Sequence, residues 1–245
     1  MSSYLIASDA KQTPLRQRSA SFIYADPPHR NGWDYTHIDN YTDFAEQWIA
    51  EAHRLLAAHS YLIICVDNST RYTYERLLQS YSVIELVQDL IWYYDFGTYT
   101  RRKFVQSHTT FLVYKVGRPT FYWEQVAERS QRMEAGDSRA DWRGRTPGTM
   151  FAIPRVPGNS FDRRYIGQHR SCQPTELLET FVKAYTNNKR TDELVVDLFS
   201  GSGSMAKACQ KLGRLCVSMD IEEMFVKQVN QRVHHDWERF IREDT

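Results

Sequence analysis

The sequence predicts one α/β domain with a mixed sheet whose core comes from both halves of the chain. Its 245 residues suffice for one large domain, and 42% of them are hydrophobic. Short apolar, partly β-branched segments read as buried strands, and stretches with helical spacing of apolar residues separate them. The predicted strands are residues 21–25, 61–66, 83–94, 109–116, 194–196 and 215–219. The predicted helices are residues 41–59, 70–79, 174–185, 205–212 and 222–242.

The first predicted strand leads into the tetrapeptide Asp26-Pro27-Pro28-His29. Residues 1–20 are expected to be irregular apart from a short apolar run at 4–6. The two prolines cannot continue a strand ladder, and they hold a stiff, extended turn. Asp26 is thereby presented at the carboxyl end of a strand, where open α/β sheets keep their chemistry. A solvent-exposed Asp-Pro turn is the alternative.

The central elements follow from periodicity and from charge. Phe44 and Trp48 belong to a core-facing helical pattern, so we expect these aromatic rings to pack in the core. The apolar strand 61–66 follows and ends at Asp67. The loop between strands 83–94 and 109–116 carries three adjacent cations, which suit a phosphate backbone. A solvated basic loop is equally compatible. These cations are Arg101, Arg102 and Lys103.

Residues 118–155 contain arginines but no lysine, partly offset by acids. The planar guanidinium group suits guanine edges and phosphates, so an inserted recognition element is one interpretation. A generic surface insertion fits the composition as well.

The stretch 194–220 reads as a strand, a glycine turn, a helix and a second strand. The first strand ends at Asp197. The chain then turns at Gly201 and Gly203, and the second strand ends at Asp220. Glycines let the backbone approach a ligand closely, and the acid can hold two ribose hydroxyls. The spacing differs from Gly-x-Gly-x-x-Gly, so a dinucleotide is not indicated. An ordinary strand–turn–helix unit remains an alternative.

Composition limits the classes of function. A net charge of +1 means that any nucleic-acid surface must be a local patch. The four cysteines form no Cys-x-x-Cys pair and have no metal spacing, so we expect reduced thiols and no metal. No run approaches 18 apolar residues and the N-terminus lacks a signal core, so we expect a cytoplasmic protein without membrane association.

Together these pieces resemble the amino-methylating DNA methyltransferases, specifically the circularly permuted β-group. Asp26-Pro27-Pro28-His29 stands at the catalytic tetrapeptide. Residues 197–203 match the Asp-x-Phe-x-Gly-Ser/Thr-Gly cofactor motif, and Asp220 matches the ribose-binding acid. The matches occur in the order of this group and cover nearly the whole chain. Further matches are Ser8-Asp9-Ala10, Trp92, Gly97, Arg101-Arg102, Phe104, His108, residues 153–156 and residues 169–174.

The resemblance implies a Rossmann-like methyltransferase fold with a mixed, mostly parallel seven-stranded sheet. It implies a catalytic half (1–117), an inserted target-recognition region (118–160) and an S-adenosylmethionine-binding half (161–245). The implied partner is double-stranded DNA, with a bacterial or phage source, and a homodimer is left open. The implied catalytic residues are Asp26, Pro27, Pro28 and His29. The implied cofactor residues are Asp9, His169, Cys172, Pro174, Asp197, Phe199, Ser200, Gly201, Ser202, Gly203 and Asp220. The implied DNA contacts are Arg101, Arg102, Lys103, Arg143 and Arg145.

The sequence departs from the family pattern at two places. His29 stands where the family has Tyr, Phe or Trp, although an imidazole is planar and can stack on a base. In the stretch that resembles His-Pro-x-Gln-Lys-Pro, Cys172 and Gln173 stand near the glutamine and lysine positions. A catalytically weakened member of the family is therefore one hypothesis.

The chemistry of the tetrapeptide agrees with this assignment. An exocyclic amine on a base is a poor nucleophile because its lone pair is delocalised into the ring. The Asp26 carboxylate and the Pro27 carbonyl can accept its two N–H bonds, so positioning and electrostatics carry the rate. Methylation at carbon 5 of cytosine needs an activated cysteine, and no cysteine here lies in a Pro-Cys loop. Because the amine is paired in duplex DNA, the base must be flipped out.

Three hypotheses follow. The first is methylation of the 6-amino group of adenine in DNA, with the 4-amino group of cytosine as the near variant. Asp26 favours adenine, since cytosine members often carry Ser there. The second is a DNA-binding subunit without catalysis, which His29 favours. The third is methylation of RNA or of a protein glutamine, against which the permuted order and the segment Arg101-Arg102-Lys103-Phe104 argue.

Overall fold

In the computed structural model, one eight-stranded sheet runs through the protein and helices cover both of its faces. The structure describes residues 3–29, 38, 40–95, 101–139, 141–157, 172–227 and 229–230. The strands are β1 Ser3–Ala7, β2 Ala20–Ala25, β3 Leu56–Val66, β4 Ile84–Tyr93, β5 His108–Val116, β6 Met150–Ala152, β7 Leu194–Asp197 and β8 Leu215–Asp220. The helices are α1 Tyr41–Leu55, α2 Arg71–Leu78, α3 Gln131–Glu134, α4 Thr175–Tyr185 and α5 Ser204–Lys211.

The strand order β1-β8-β7-β2-β3-β5-β4-β6 interleaves the two halves of the chain. Every neighbouring pair is parallel except the two that involve β5. The predicted mixed, mostly parallel sheet is therefore confirmed, with eight strands where seven were expected. Tyr24 pairs with Asp197 across β2 and β7. The expected neighbourhood of the strands that lead to Asp26 and Asp197 is therefore also confirmed.

Two strands were not predicted. β1 coincides with the short apolar run at 4–6, which was not assigned to a strand, and its pairing with β8 makes it the edge of the sheet. β6 is a three-residue strand inside the arginine-rich region, and it pairs with β4 at the opposite edge. Strands this short carry no periodic signal of their own, because pairing with a neighbour is what makes them strands.

The predicted helix 41–59 extends too far. Asn40 caps α1 by accepting hydrogen bonds from the N–H groups of Thr42 and Asp43, and the helix ends at Leu55. β3 begins at the next residue, where Leu56 pairs with Ala20 of β2. Leucine and alanine in this segment favour a helix, but tertiary pairing overrides that local preference.

The alternation of side chains along β2 divides the core into two layers. Ile23 and Ala25 face the layer that contains Trp48 of α1. Phe22 and Tyr24 face the opposite layer, built on α4 and α5. α1 and α4 thus cover opposite faces of the sheet. Consequently the side chain of Tyr24 lies on the α4 side of the sheet.

The last predicted helix, 222–242, lies mostly outside the described residues; its described part is helical at 223–227 and 229–230. Among the described residues, no helix combines the length and apolar character needed to cross a membrane. The sheet joins strands from residues 1–117 and 161–245, and the region 118–160 contributes β6 at one edge. The three boundaries themselves remain a prediction.

Candidate active site

Five parallel strands have their carboxyl ends along one edge of the sheet, and an aspartate lies at or just after each of these strand ends. In sheet order these strands are β1, β8, β7, β2 and β3. The chain crosses from β7 to β8 on one face and from β2 to β3 on the other, so the switch point lies between β7 and β2. Open α/β sheets bind their ligands at such a point. The aspartates, in the same order, are Asp9, Asp220, Asp197, Asp26 and Asp67.

A cavity of about 520 Å³ opens over this edge and joins the two halves of the predicted site. Its walls come from the ends of β1, β2, β7 and β8 and from the first turns of α1, α4 and α5. The lining residues are Ser8, Asp9, Ala10, Lys11, Tyr24, Asp26, Pro27, Pro28, His29, Ile38, Asn40, Asp43, Phe44, Gln47, Gln173, Leu178, Asp197, Leu198, Phe199, Ser200, Gly201, Ser202, Ser204, Met205, Asp220 and Ile221.

The tetrapeptide is held from both sides. Gln173 Nε2 donates a 2.8 Å hydrogen bond to Asp26 Oδ2. On the other side, the Tyr41 hydroxyl donates a 2.8 Å hydrogen bond to the carbonyl of Pro28. Tyr41 in turn contacts the hydroxyl of the buried Tyr74. The tetrapeptide is therefore anchored to α1 and to the segment before α4.

His29 stands beside the aspartate that ends β3. Its Nδ1 lies 3.8 Å from Asp67 Oδ2. Asp67 Oδ1 accepts hydrogen bonds from the backbone and hydroxyl groups of Ser69 and Thr70, which fix this carboxylate. Burial alone would raise the pKa of Asp67, but these bonds and the His29 charge hold it below its ordinary value. The ionised Asp67 can therefore orient the imidazole.

The turn after β7 has the backbone shape that its glycines predict. Gly201 has φ +44° and Gly203 has φ +76°, in the left-handed region that favours glycine. Ser200 N–H donates to Met219 O at 2.7 Å, which ties the turn to β8. A Cβ added to Gly203 would lie 2.2 Å from Val229 Cγ1. The turn is thus closely packed on the side away from the cavity.

Asp220 is held in place by the backbone. Its Oδ2 accepts a 2.9 Å hydrogen bond from Gly201 N–H, and its Oδ1 accepts a 3.0 Å bond from Glu222 N–H. Asp9 lies nearby, two residues after the end of β1, because Ala7 pairs with Asp220. Asp9 Oδ2 forms an ion pair with Lys11 Nζ at 3.2 Å. Both predicted acids therefore face the same end of the cavity.

The five aspartates at the carboxyl ends of the strands form an acidic row. Asp197 is its buried member, with 1% of its surface exposed. Burial raises its pKa to about 8, opposed by the backbone N–H of Phe199 and reinforced by the charges of Asp26 and Asp220. A cationic ligand in the cavity would stabilise the ionised form of this buried carboxyl, so the site favours such a ligand. No other acid on this edge is as deeply buried among the described residues.

Most of the remaining predicted cofactor residues lie around the turn after β7 and the start of α4. Phe199 packs against Trp48, with ring centroids 5.5 Å apart. Cys172 Sγ lies 3.6 Å from Ser204 Oγ behind the turn, and Pro174 begins α4. Ser202 Oγ lies 3.0 Å from Ser204 Oγ. The predicted residue His169 lies outside the described residues.

The predicted DNA contacts lie in two separate regions. Arg101, Arg102 and Lys103 are exposed on the loop before β5, next to the fully exposed ring of Phe104. In the region 118–160, Arg143 Nη2 pairs with Asp141 at 2.9 Å and its guanidinium lies 5.0 Å from the Trp123 ring centroid. Arg145 Nη2 lies 3.9 Å from Glu128 Oε2. Both of these arginines thus already have acidic partners.

Three residues of the site escaped the sequence-based prediction of site residues. Gln173 donates a hydrogen bond to Asp26, Tyr24 donates one to Gln173, and Asp67 faces His29. Asp67 carried a usable signal, since it ends the strand that follows the tetrapeptide. The sequence predicts Tyr24 only as an aromatic residue of the core, because it does not show which polar atom its hydroxyl contacts.

Asp26, His29 and Cys65 each offer a ligand atom, and these atoms lie within 4.8 Å of one another. Such a set could hold a transition metal ion. However, Gln173 Nε2 already donates to Asp26 Oδ2 and lies 3.7 Å from Cys65 Sγ. We therefore retain the prediction that the site functions without a metal.

Comparison with known proteins identifies the family. Residues 20–231 match the model of the N6/N4 family of DNA methylases. The chain belongs to this family. The matched range includes the tetrapeptide at Asp26 and the glycine turn after Asp197, so both sides of the cavity lie inside it.

The chain is also similar to a curated methyltransferase in sequence and to solved methyltransferase structures in fold. The Type II methyltransferase M.HpaI of Haemophilus parainfluenzae is 24% identical over 253 residues, covering 98% of this chain and 77% of the relative. The structure of PvuII DNA methyltransferase (cytosine-N4-specific) has a TM-score of 0.71 at 13% identity, covering 94% of this chain and 86% of that chain. The structure of the M1.HpyAVI–SAM complex has a TM-score of 0.65 at 14% identity, covering 94% of this chain and 100% of that chain. The expected α/β methyltransferase fold is therefore confirmed.

Proposed function

We propose that this DNA methylase transfers a methyl group from S-adenosylmethionine to the 6-amino group of adenine in duplex DNA. The observation that carries the proposal is the pairing of β2 with β7, which brings Asp26 next to the glycine turn and Asp197 across one cavity. The candidate catalytic and cofactor groups, far apart in the sequence, share this space. The order of the two motifs also supports membership of the circularly permuted β-group.

The cofactor proposal rests on how well the residues fit that molecule. No described group hydrogen-bonds the buried Oγ of Ser200, which lines the cavity. The acidic row suits a cation, and Asp220, held by two backbone N–H groups, suits a pair of ribose hydroxyls. S-adenosylmethionine matches all three features, and when bound it supplies a methyl group on a sulfonium centre. Relatives named as Type II methyltransferases, and one named as a SAM complex, support the same choice.

The tetrapeptide then acts on the target base. We assign Asp26 and the Pro27 carbonyl as acceptors for the two N–H bonds of the amine, which turns its lone pair away from the ring. His29 stacks on the flipped base, and Asp67 orients the imidazole. Exclusion of water from the cavity strengthens these contacts. The rate comes from positioning and electrostatics, so no covalent enzyme intermediate is needed.

Adenine is preferred over cytosine because position 26 is an aspartate, which the resemblance associates with adenine. The 4-amino group of cytosine presents similar geometry and is the alternative product. Exposed Arg101, Arg102 and Lys103 are the proposed phosphate contacts, and Arg143 and Arg145 belong to the proposed recognition insertion. A cytoplasmic role beside a restriction enzyme would follow the relatives named as Type II methyltransferases.

Mass spectrometry of nucleosides tests this proposal. Duplex DNA of mixed sequence is incubated with the protein and with methyl-deuterated S-adenosylmethionine, then digested to nucleosides. We expect labelled N6-methyladenine. Labelled N4-methylcytosine instead would select the alternative product. No labelled base in any DNA, with normal cofactor binding, would favour the DNA-binding subunit that His29 first suggested.

A further inference from the structure

A buried chain of hydrogen bonds runs from the core to the catalytic carboxylate. The Tyr24 hydroxyl donates to Gln173 Oε1, and Gln173 Nε2 donates to Asp26 Oδ2 at 2.8 Å. Tyr24 is 3% exposed and Gln173 is 7% exposed, so water does not compete freely for these bonds. The chain links β2 to the residue before Pro174, although the two segments are far apart in the sequence.

The chemistry of the groups sets the direction of this chain. An ionised carboxylate only accepts hydrogen bonds, so the amide nitrogen of Gln173, and not its oxygen, must face Asp26. The amide oxygen then faces Tyr24. Burial raises the pKa of the Tyr24 phenol well above its ordinary value, and the negative charge of Asp26 is the next largest cause. The Tyr24 phenol therefore stays protonated, and remains a donor, at neutral pH.

The second hydrogen of the Gln173 amide also has a partner. Gln173 Nε2 lies 3.7 Å from Cys65 Sγ on the neighbouring strand β3. The side chain of Gln173 is thus held at three points, by Tyr24, Asp26 and Cys65. A side chain held in this way cannot rotate without breaking buried hydrogen bonds, which is costly.

We propose that Gln173 is a positioning residue that fixes the rotation of the Asp26 carboxylate. With Oδ2 bound to Gln173, Oδ1 is directed to the target amine in a single orientation. Tyr24 contributes by fixing the amide of Gln173. This inference rests on the proposed function, because it assigns a task to Asp26 as the acceptor of the amine. Small errors in the placement of a reacting group can reduce a rate by about 100-fold, so such a device has a measurable effect.

The test separates positioning from folding. Gln173→Met keeps the length of the side chain and removes both hydrogen bonds, and Tyr24→Phe removes only the hydroxyl. Single-turnover methyl transfer to duplex DNA, cofactor affinity by calorimetry and thermal unfolding are measured for each variant. Gln79→Met, at an exposed position after α2, is the matched control.

We expect Gln173→Met to lower the single-turnover rate about 10- to 100-fold while cofactor affinity changes less than about 2-fold. Tyr24→Phe should lower the rate by a smaller factor. In the Gln173→Met background, Tyr24→Phe should have almost no further effect, because the two residues act through one chain. Gln79→Met should match the parent in all three measurements.

Three outcomes would overturn the inference. One is a parent-like rate for Gln173→Met. Another is a loss of rate that only parallels a loss of cofactor affinity or of folded protein. The third is a Tyr24→Phe effect that is unchanged in the Gln173→Met background. If the parent protein transfers no methyl group to any DNA, the proposed function fails first, and this inference fails with it.

Discussion

Asp26 and Asp197 stand at the ends of neighbouring strands, yet the structure gives their carboxyl groups different surroundings. Asp26 reaches into the cavity and is bound on one oxygen by Gln173. Asp197 is buried beneath the turn, and burial raises its pKa to about 8, with the charges of Asp26 and Asp220 adding to the effect. Their different environments suit different tasks, one toward the base and one toward a cationic cofactor.

The raised pKa of Asp197 makes folding and cofactor binding depend on pH. Between the ordinary value of 3.8 and about 8, the folded protein holds a proton that the unfolded chain has lost. Stability therefore falls as pH rises through this window. A cationic cofactor favours the ionised form, so binding at pH 7 should release a proton from Asp197.

Asp197→Asn tests this linkage. Calorimetric titration with S-adenosylmethionine at pH 7, in two buffers with different ionisation enthalpies, measures the protons released. We expect the variant to release fewer protons and to bind more weakly than the parent. Equal proton release by parent and variant would show that Asp197 does not ionise on binding.

His29 is the residue at which this chain departs most from the family pattern. A tyrosine offers a larger stacking surface, and base stacking on an aromatic side chain is worth about 1–3 kcal/mol. We expect His29→Tyr to retain or increase single-turnover transfer, and His29→Ala to lose it through weaker hold on the flipped base. A His29→Ala rate equal to that of the parent would exclude a stacking role.

At the residue scale, the sequence predicts acids better than their partners. Asp26, Asp197 and Asp220 were predicted because each ends a strand, and parallel strands bring their carboxyl ends to one edge. Tyr24 and Gln173 were not predicted as site residues. Their contact depends on which face of β2 points to α4 and on how the segment before α4 approaches it.

At the scale of elements, the β7–α5 turn combines two constraints on Gly203. Its φ of +76° is strained for other residues, and an added Cβ would contact Val229 Cγ1 at 2.2 Å. Gly213 provides a matched control, because its φ is +62° but nothing lies within 4 Å of an added Cβ. Together the two positions separate backbone strain from steric overlap.

We expect Gly213→Ala to cost about 1 kcal/mol of unfolding free energy, and Gly203→Ala to cost about 1–3 kcal/mol more. Val229→Ala combined with Gly203→Ala should recover part of that difference. Urea unfolding measures all four proteins. Equal costs at the two glycines would mean that the packing of the turn against Val229 is loose.

The basic loop before β5 and the region 118–160, which we propose to be a recognition insertion, are expected to contact DNA differently. Replacing Arg101 and Arg102 by alanine should weaken all duplexes alike and make the salt slope less negative by about 2, at roughly 0.9 per phosphate contact. Replacing Arg143 and Arg145 should change the preferred site. Arg190→Ala, before β7 and thus at the other end of the sheet, is the control. A site preference altered by the loop variant, with an unchanged salt slope, would reverse these roles.

Helices and strands with a clear hydrophobic pattern were predicted from the sequence. Strands that form only because they pair with another strand were not. Helices α1, α2, α4 and α5 show clear helical spacing, and β2, β3, β7 and β8 are apolar. β1 and β6 exist because they pair with β8 and β4 at the two edges of the sheet. The end of α1 was misjudged because Leu56 pairs with β2 as soon as the helix stops.

At the scale of the whole molecule, the sheet order joins the two ends of the chain into one site. Strands from the first third of the chain lead to Asp9, Asp26 and Asp67, and strands from the last quarter lead to Asp197 and Asp220. This neighbourhood could be expected from the motif order. The resulting cavity of about 520 Å³ gives the two halves a common space in which a cofactor and a base can meet.

If Asp26 holds the target amine during methyl transfer, its carboxylate must be needed for the transfer step itself. Single-turnover transfer to duplex DNA is compared for the parent, Asp26→Ala and Asp26→Asn, with Asp192→Ala at an exposed site as control. Asp26→Ala should abolish transfer and leave cofactor affinity nearly intact, whereas Asp26→Asn should retain a partial rate because it keeps an acceptor oxygen. A parent-like rate from Asp26→Ala would show that this carboxylate does not hold the amine.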